Sequence, residues 1–221
     1  MAAESVRGNV ALDVDLLALA QQLGFTKQGE MFSAIELNEL ATRSLASHGC
    51  TTRLVNLAEL SDDAARLAFV LDALRRGELL LIAYDADKDN TPCTLGGARA
   101  HWAIIKGIVV PFERDAAAAA IDDTSDSLSV TVDSLDDSVA CDRVALDDSL
   151  LSCQHSKSKR AALWSARALL ASSAQLARPD HARNVAAEYR MLDDLAACLA
   201  ARVIVVAPAQ RSTETATNAT S

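Results

Sequence analysis

The chain has 221 residues, half of them hydrophobic but only 4% aromatic, so one domain with a core of Leu, Val and Ile is within reach. The net charge is −9, and residues 111–150 hold eleven acids against Arg114 and Arg143, which accounts for all of it. The remainder is formally neutral and has no basic stripe, which argues against nucleic acid as a partner. Five scattered cysteines, none in a C-x-x-C pair, argue against a disulfide framework or a zinc finger and suit a reducing, cytoplasmic location. "MAAESVRGNV" lacks the pattern of a signal peptide, and no apolar run reaches the length of a membrane span, about 18 residues.

Leu12, Leu16, Leu19 and Leu23 make one apolar stripe and predict a helix over 12–23, stopped at Gly24. Ser33 and Glu36 form a capping box that opens a second helix, with Phe32 and Leu37 at the staple positions and a stripe through Leu40, Ala41 and Leu45. "TTRLVNL" reads as a short strand. A third helix runs from about Ser61 to Arg76, with Leu67, Leu71 and Leu74 inward and Gly77 as its stop. "ELLLIAY" (78–84) is a buried strand, "YDADKDNTPC" a loop, and Ala100–Val110 a strong strand.

The acidic stretch 111–150 is low in aromatics and reads as a disordered insertion. "LLSCQHS" and "RAALW" are expected to pair as strands, with Leu176–Asp180 a connection. Val185, Tyr189, Leu192, Leu195 and Leu199 predict a helix, "ARVIVVAP" a last buried strand, and residues 209–221 a disordered tail. Helices first and strands late predict an α+β fold, helices against a mostly antiparallel sheet, in a single domain over 1–208.

The chemistry gathers in "NTPCTLGGARAHWAII" (90–105). Cys93 precedes His101 by eight residues, which span about 26 Å when extended, so the loop must turn back for the two to meet. Gly96 and Gly97 would allow it. A thiolate–imidazolium pair is a good nucleophile, a buried thiol is the bland alternative, and a metal site needs distant ligands. No H-E-x-x-H is present among the four histidines, and "DADKDN" fails as an EF-hand loop because Asn90 replaces its glycine. His101 is the stronger candidate, at the mouth of a strand behind a glycine loop.

Two stretches resemble the actin maturation protease family: "FTKQGEMFSAIELNELA" (25–41) and "LLLIAYDADKDNTPCTLGGARAHWAIIKG" (79–107). Their specific residues are Gln28 to Ser33, then Tyr84-Asp85, Pro92-Cys93, Gly97 and Ala100-His101-Trp102. The resemblance weakens after Val109, although Leu163-Trp164, Gln175-Leu176 and Arg202-Val203 fit the closing segments. It implies a papain-like cysteine peptidase fold and an aminopeptidase that removes the acetylated N-terminal residue of actin. His101 would be the catalytic histidine and Cys93 a non-nucleophilic cysteine. No cofactor or metal is implied. Implied partners are the actin N-terminus and an actin-binding chaperone, with the chain a monomer and no membrane involved.

The family nucleophile lies in a Cys-Gly segment entering a helix, and "MAAESV" reads as that helix's tail. Three readings stay open: a start placed at an internal Met, a catalytically dead relative that binds an acidic peptide or the actin N-terminus, or takeover by Cys93. No residue is assigned as the third member of the triad.

Overall fold

A computed structural model describes residues 14–109, 149–158, 160–178 and 189–209. The expected acidic insertion lies outside the described residues except at its last two positions, and the tail from residue 210 onward lies wholly outside them. The fold is α+β, and every strand pairing among the described residues is antiparallel. The strands are β1 (Cys50–Asn56), β2 (Leu79–Ala86), β3 (Pro92–Cys93), β4 (Ala100–Val109), β5 (Leu150–His155), β6 (Ala162–Ser165) and β7 (Arg202–Pro208). They lie in the order β1-β7-β2-β4-β5-β6, with β3 beside the end of β2. The last strand thus enters the middle of the sheet and is the link between β1 and β2.

Helices cover both faces. On one, α3 (Asp63–Arg75) and α4 (Ala166–Ala174) bury Leu67, Val70, Leu71, Leu169 and Leu170 against Leu80, Ile82, Tyr84, Ile105, Leu151 and Val205. On the other, α2 (Ala34–Leu45) covers Leu79, Ile104 and Val206 with Leu45. The short α5 (Leu195–Leu199) closes over Phe32, Ala83 and Leu176. Burial on both faces explains why β2 is a continuous apolar run instead of an alternating one. In β4 the register shifts between Ile105 and Gly107, so Ile105 and Ile108 both reach the α3–α4 face.

The caps behave as their residue types dictate. Ser33 Oγ accepts from the Glu36 N–H at 3.2 Å and opens α2. Asp62 does the same for α3 through the Ala65 N–H at 2.8 Å. At the end of α3, Gly77 takes φ +70° and donates to the Leu74 carbonyl at 2.9 Å.

Four sequence expectations need correction. The first helix, α1 (Leu16–Gln22), starts where the Asp15 carboxylate accepts from Leu17 and Ala18, and its stripe is not a core stripe. Leu16 is 39% exposed, and Ala20 is the residue of α1 that is buried. Of the helix expected from Val185, the described part is irregular over residues 190–194 and helical only over Leu195–Leu199 (α5); residues 179–188 lie outside the described set. The Arg190 N–H is spent on the Glu30 carboxylate at 2.8 Å, and Asp194 caps a fresh start through Ala197. Asp85 and Ala86, expected in a loop, continue β2 past Tyr84, pairing with β3 and, at Asp85, with β4. Helix α4 was not anticipated.

Candidate active site

Asp85 has no exposed surface, yet its carboxylate is fully engaged. It accepts from the backbone N–H groups of Leu95 (2.8 Å), Gly97 (2.9 Å) and Arg99 (2.8 Å), and more distantly from Gln175 Nε2 (3.4 Å). A buried carboxylate is tolerated only when paired or hydrogen-bonded in this way, and here it organises the loop that leads into His101. Beyond Ile82, where the β7 ladder ends, Ser172 Oγ takes over as a partner for the backbone of β2. It accepts from the Asp85 N–H at 2.8 Å and donates to the Asp85 carbonyl at 3.1 Å. The Gly96 carbonyl accepts from Ala177 and Arg178, and a Cβ on Gly97 would stand 2.7 Å from the Arg178 carbonyl oxygen. The loop is therefore clamped between β2 and the end of α4, and glycine at 97 is dictated by that approach as well as by φ +100°.

His101 sits one residue into β4, opposite Tyr84. It borders an open hollow of ≈ 380 Å³ that Asp87, Lys88, Asn90, Arg99 and Lys157 also line. Lys157 belongs to the turn after β5, closed by the Ser158 N–H on the His155 carbonyl at 3.2 Å. Its Nζ lies 3.3 Å from His101 Nε2. An ammonium only donates, so Nε2 is the acceptor side of this contact. Burial, then the nearby Cys153 and Cys93 thiols, push the Tyr84 hydroxyl pKa upward. Tyr84 thus stays protonated and donates to the Asn90 carbonyl at 3.1 Å, fixing the turn on the hollow's rim.

Cys93 does not meet His101. Residues opposite one another in an antiparallel ladder share a face. Cys93 faces with Asp85 and Ala100, while His101 faces with Tyr84, and β3 and β4 flank β2 on opposite sides. Burial and then the Asp85 and Asp87 charges push the Cys93 thiol up, the reverse of activation. Burial also raises Cys153, and burial with Asp194 and Glu36 raises Cys198. Cys50 is buried on β1, and Cys141 lies outside the described residues. No thiol is among the described residues that line the hollow. No group of three or more His, Cys, Asp or Glu residues that could hold a metal occurs among the described residues.

The Gln28–Ser33 motif is a knot behind the sheet. The Glu30 carboxylate accepts from Thr26 Oγ1 (2.7 Å), the Lys27 N–H (2.9 Å), the Gln28 N–H (2.8 Å) and the Arg190 N–H (2.8 Å). Trp102 Nε1 donates to the Met31 carbonyl at 2.9 Å, so the residue after His101 is pinned to this knot. Sequence reasoning found His101 and the glycine loop. It missed Asp85 as their organiser, along with Ser172 and Lys157. Only the acid's place at the end of an apolar run hinted at its burial.

Residues 1–109 match the family described as "Actin maturation protease-like, C-terminal domain". His101, Asp85 and Glu30 lie inside that region; Lys157, Ser172, Gln175 and Arg190 lie outside it. The chain is 37% identical over 97 residues to the human protein named Actin maturation protease, covering 43% of this chain and 25% of that one. For the mouse protein of that name the figures are 33% over 109 residues, 49% and 28%; for the fruit-fly protein, 35% over 96 residues, 43% and 33%. The chain thus spans about a quarter to a third of the length of these relatives. No solved structure matches. Over residues 1–109, the region that carries His101, the chain is similar to the C-terminal domain of the actin maturation protease family.

Proposed function

We propose that this chain carries the histidine side of a papain-like cysteine peptidase site, which removes the acetylated N-terminal residue of actin. The observation that carries the reading is the placement of His101: inside the matched region, on a rigid strand, at the mouth of an open hollow. In such a site the imidazole takes the thiol's proton and later returns it to the leaving amine. Among the described residues no thiol lines the hollow beside the histidine, and on this reading the chain needs a nucleophile from elsewhere to cleave. Actin is the substrate that the relatives' names imply, and a chaperone that presents actin is a fitting further partner. Asp85 holds the loop ahead of His101 and thus positions it without touching substrate.

The test fuses the part of the human relative that precedes its matched segment ahead of residue 1. Loss of the acetylated residue from an actin N-terminal peptide is followed by mass spectrometry. Cleavage by the fusion, and its fall by a factor of about 10³ or more in His101→Ala with the fold intact, is the expected result. Turnover retained in His101→Ala would remove this histidine from the mechanism.

A second reading rests on the absence of a thiol among the described residues that line the hollow: a catalytically dead module that holds the same acidic peptide there. Peptide binding without cleavage by the fusion would favour it.

A further inference from the structure

In a chain of net charge −9, the hollow beside His101 is lined by three cations and one acid: Lys88, Arg99 and Lys157 against Asp87. The cations come from three separate segments, each with its backbone fixed. Lys88 sits in the turn between β2 and β3, where the Asp87 N–H donates to the Thr91 carbonyl at 2.9 Å and Asn90 is held by Tyr84. Arg99 donates its N–H to the buried Asp85 at 2.8 Å and accepts from the Ala86 N–H at 3.1 Å. Lys157 stands in the closed turn after β5 and touches His101 Nε2. All three side chains belong to exposed residues. A ligand therefore meets positive charge on a scaffold it does not have to order.

We propose that this hollow is a carboxylate-binding site, in which Arg99 and Lys157 select a peptide by an acidic side chain next to the bond presented to His101. Arg99 offers a planar fork for a carboxylate, and Lys157 offers a mobile point charge. A carboxylate seated between them competes with His101 Nε2 for the Lys157 ammonium. Binding of the correct peptide and the contact at His101 are thereby linked. The assignment of a peptide to the hollow rests on the peptidase reading above; the selecting residues are what it adds.

The test measures fluorescence anisotropy of dye-labelled, N-acetylated tetrapeptides beginning Asp-Asp or Asn-Asn, with the full chain at low salt. The acidic peptide should bind about tenfold more tightly, and the ratio should shrink as salt is added. Arg99→Gln and Lys157→Gln should each cut the ratio by about threefold or more, and the double variant should bring it near one without moving the melting temperature. Equal binding of the two peptides, or a ratio unchanged in the double variant, would overturn the proposal. Displacement of the acidic peptide by inorganic phosphate at an equal concentration would overturn it too, since the hollow would then take any anion. The same peptides offered to the fused chain separate the two readings. Acidic preference without cleavage supports the site and sinks the peptidase reading. Cleavage with no acidic preference overturns the site and leaves the peptidase reading standing.

Discussion

Glu30 is held in its charged form by what surrounds it. Burial pushes its carboxyl up, but N–H groups of Arg190, Lys27 and Gln28 and the Thr26 hydroxyl outweigh that, and its pKa falls from 4.5 to about 2. A group depressed on folding stabilises the fold above its unfolded pKa and loses that contribution as pH falls through the folded value. The window here runs from about 4.5 down to about 2. Glu30→Gln should cost about 1–2 kcal/mol at pH 7, a figure reduced because the carboxylate is partly solvated. Urea unfolding at pH 7 and near pH 2.5 measures it. The gap between wild type and variant should narrow in acid; a constant gap would mean that the charge contributes nothing and shape everything. Only the position of this residue was visible in the sequence, as part of the Gln28–Ser33 motif. Its main partner, Arg190, is far away along the chain, and no local pattern could have named it.

Elements were legible where local chemistry decides them. The Ser33 cap, the apolar stripe of α3 and the unbroken run of β2 each carry their own signal, and the structure follows all three. Helix α4 carried a mixed signal because it does two jobs. Leu169 and Leu170 face the core, but Ser172 and Ser173 are also fully buried, which breaks the apolar pattern that identifies a helix. Tertiary hydrogen bonding explains the break at Ser172, which serves the Asp85 backbone; the Ser173 hydroxyl is buried with no hydrogen-bond partner among the described residues. Lys157 was invisible for the opposite reason, since an exposed lysine in a turn has no pattern at all. The role of α4 is testable. Ser172→Ala leaves a buried N–H and carbonyl without that partner and should cost about 1–3 kcal/mol in denaturant unfolding. Hydrogen exchange at the Leu95, Gly97 and Arg99 amides should quicken as the loop before His101 loosens. Unchanged exchange there would separate α4 from the active-site loop.

At the scale of the whole molecule, similarity and structure divide the chain differently. The family match ends at residue 109, but the core does not. Strand β7 pairs with β1 on one side and β2 on the other, so without it β1 has no ladder. Strand β5 covers the far side of β4, and Leu176, Leu195 and Leu199 fill the face behind Trp102. Residues 1–109 alone should therefore leave β1 unpaired and the β7 edge of β2 open, and fail to fold cooperatively. Val109 and Leu150 are paired directly, however, so the connection between them has only to bridge neighbouring strands about 5 Å apart. We expect residues 110–148 to be an insertion that the fold does not need. Replacing them with a four-residue turn should leave a cooperative thermal transition within a few degrees of the parent chain's, because loop closure changes only slowly with length. Circular dichroism melts of the 1–109 fragment and of the shortened chain make the comparison. A cooperative melt from the fragment would show that the matched region is a domain in its own right. Loss of the transition in the shortened chain would show that the acidic stretch contributes to the core. The expected pair of results, fragment unfolded and shortened chain folded, would define the peptidase-like unit as two stretches of sequence closed by one late strand.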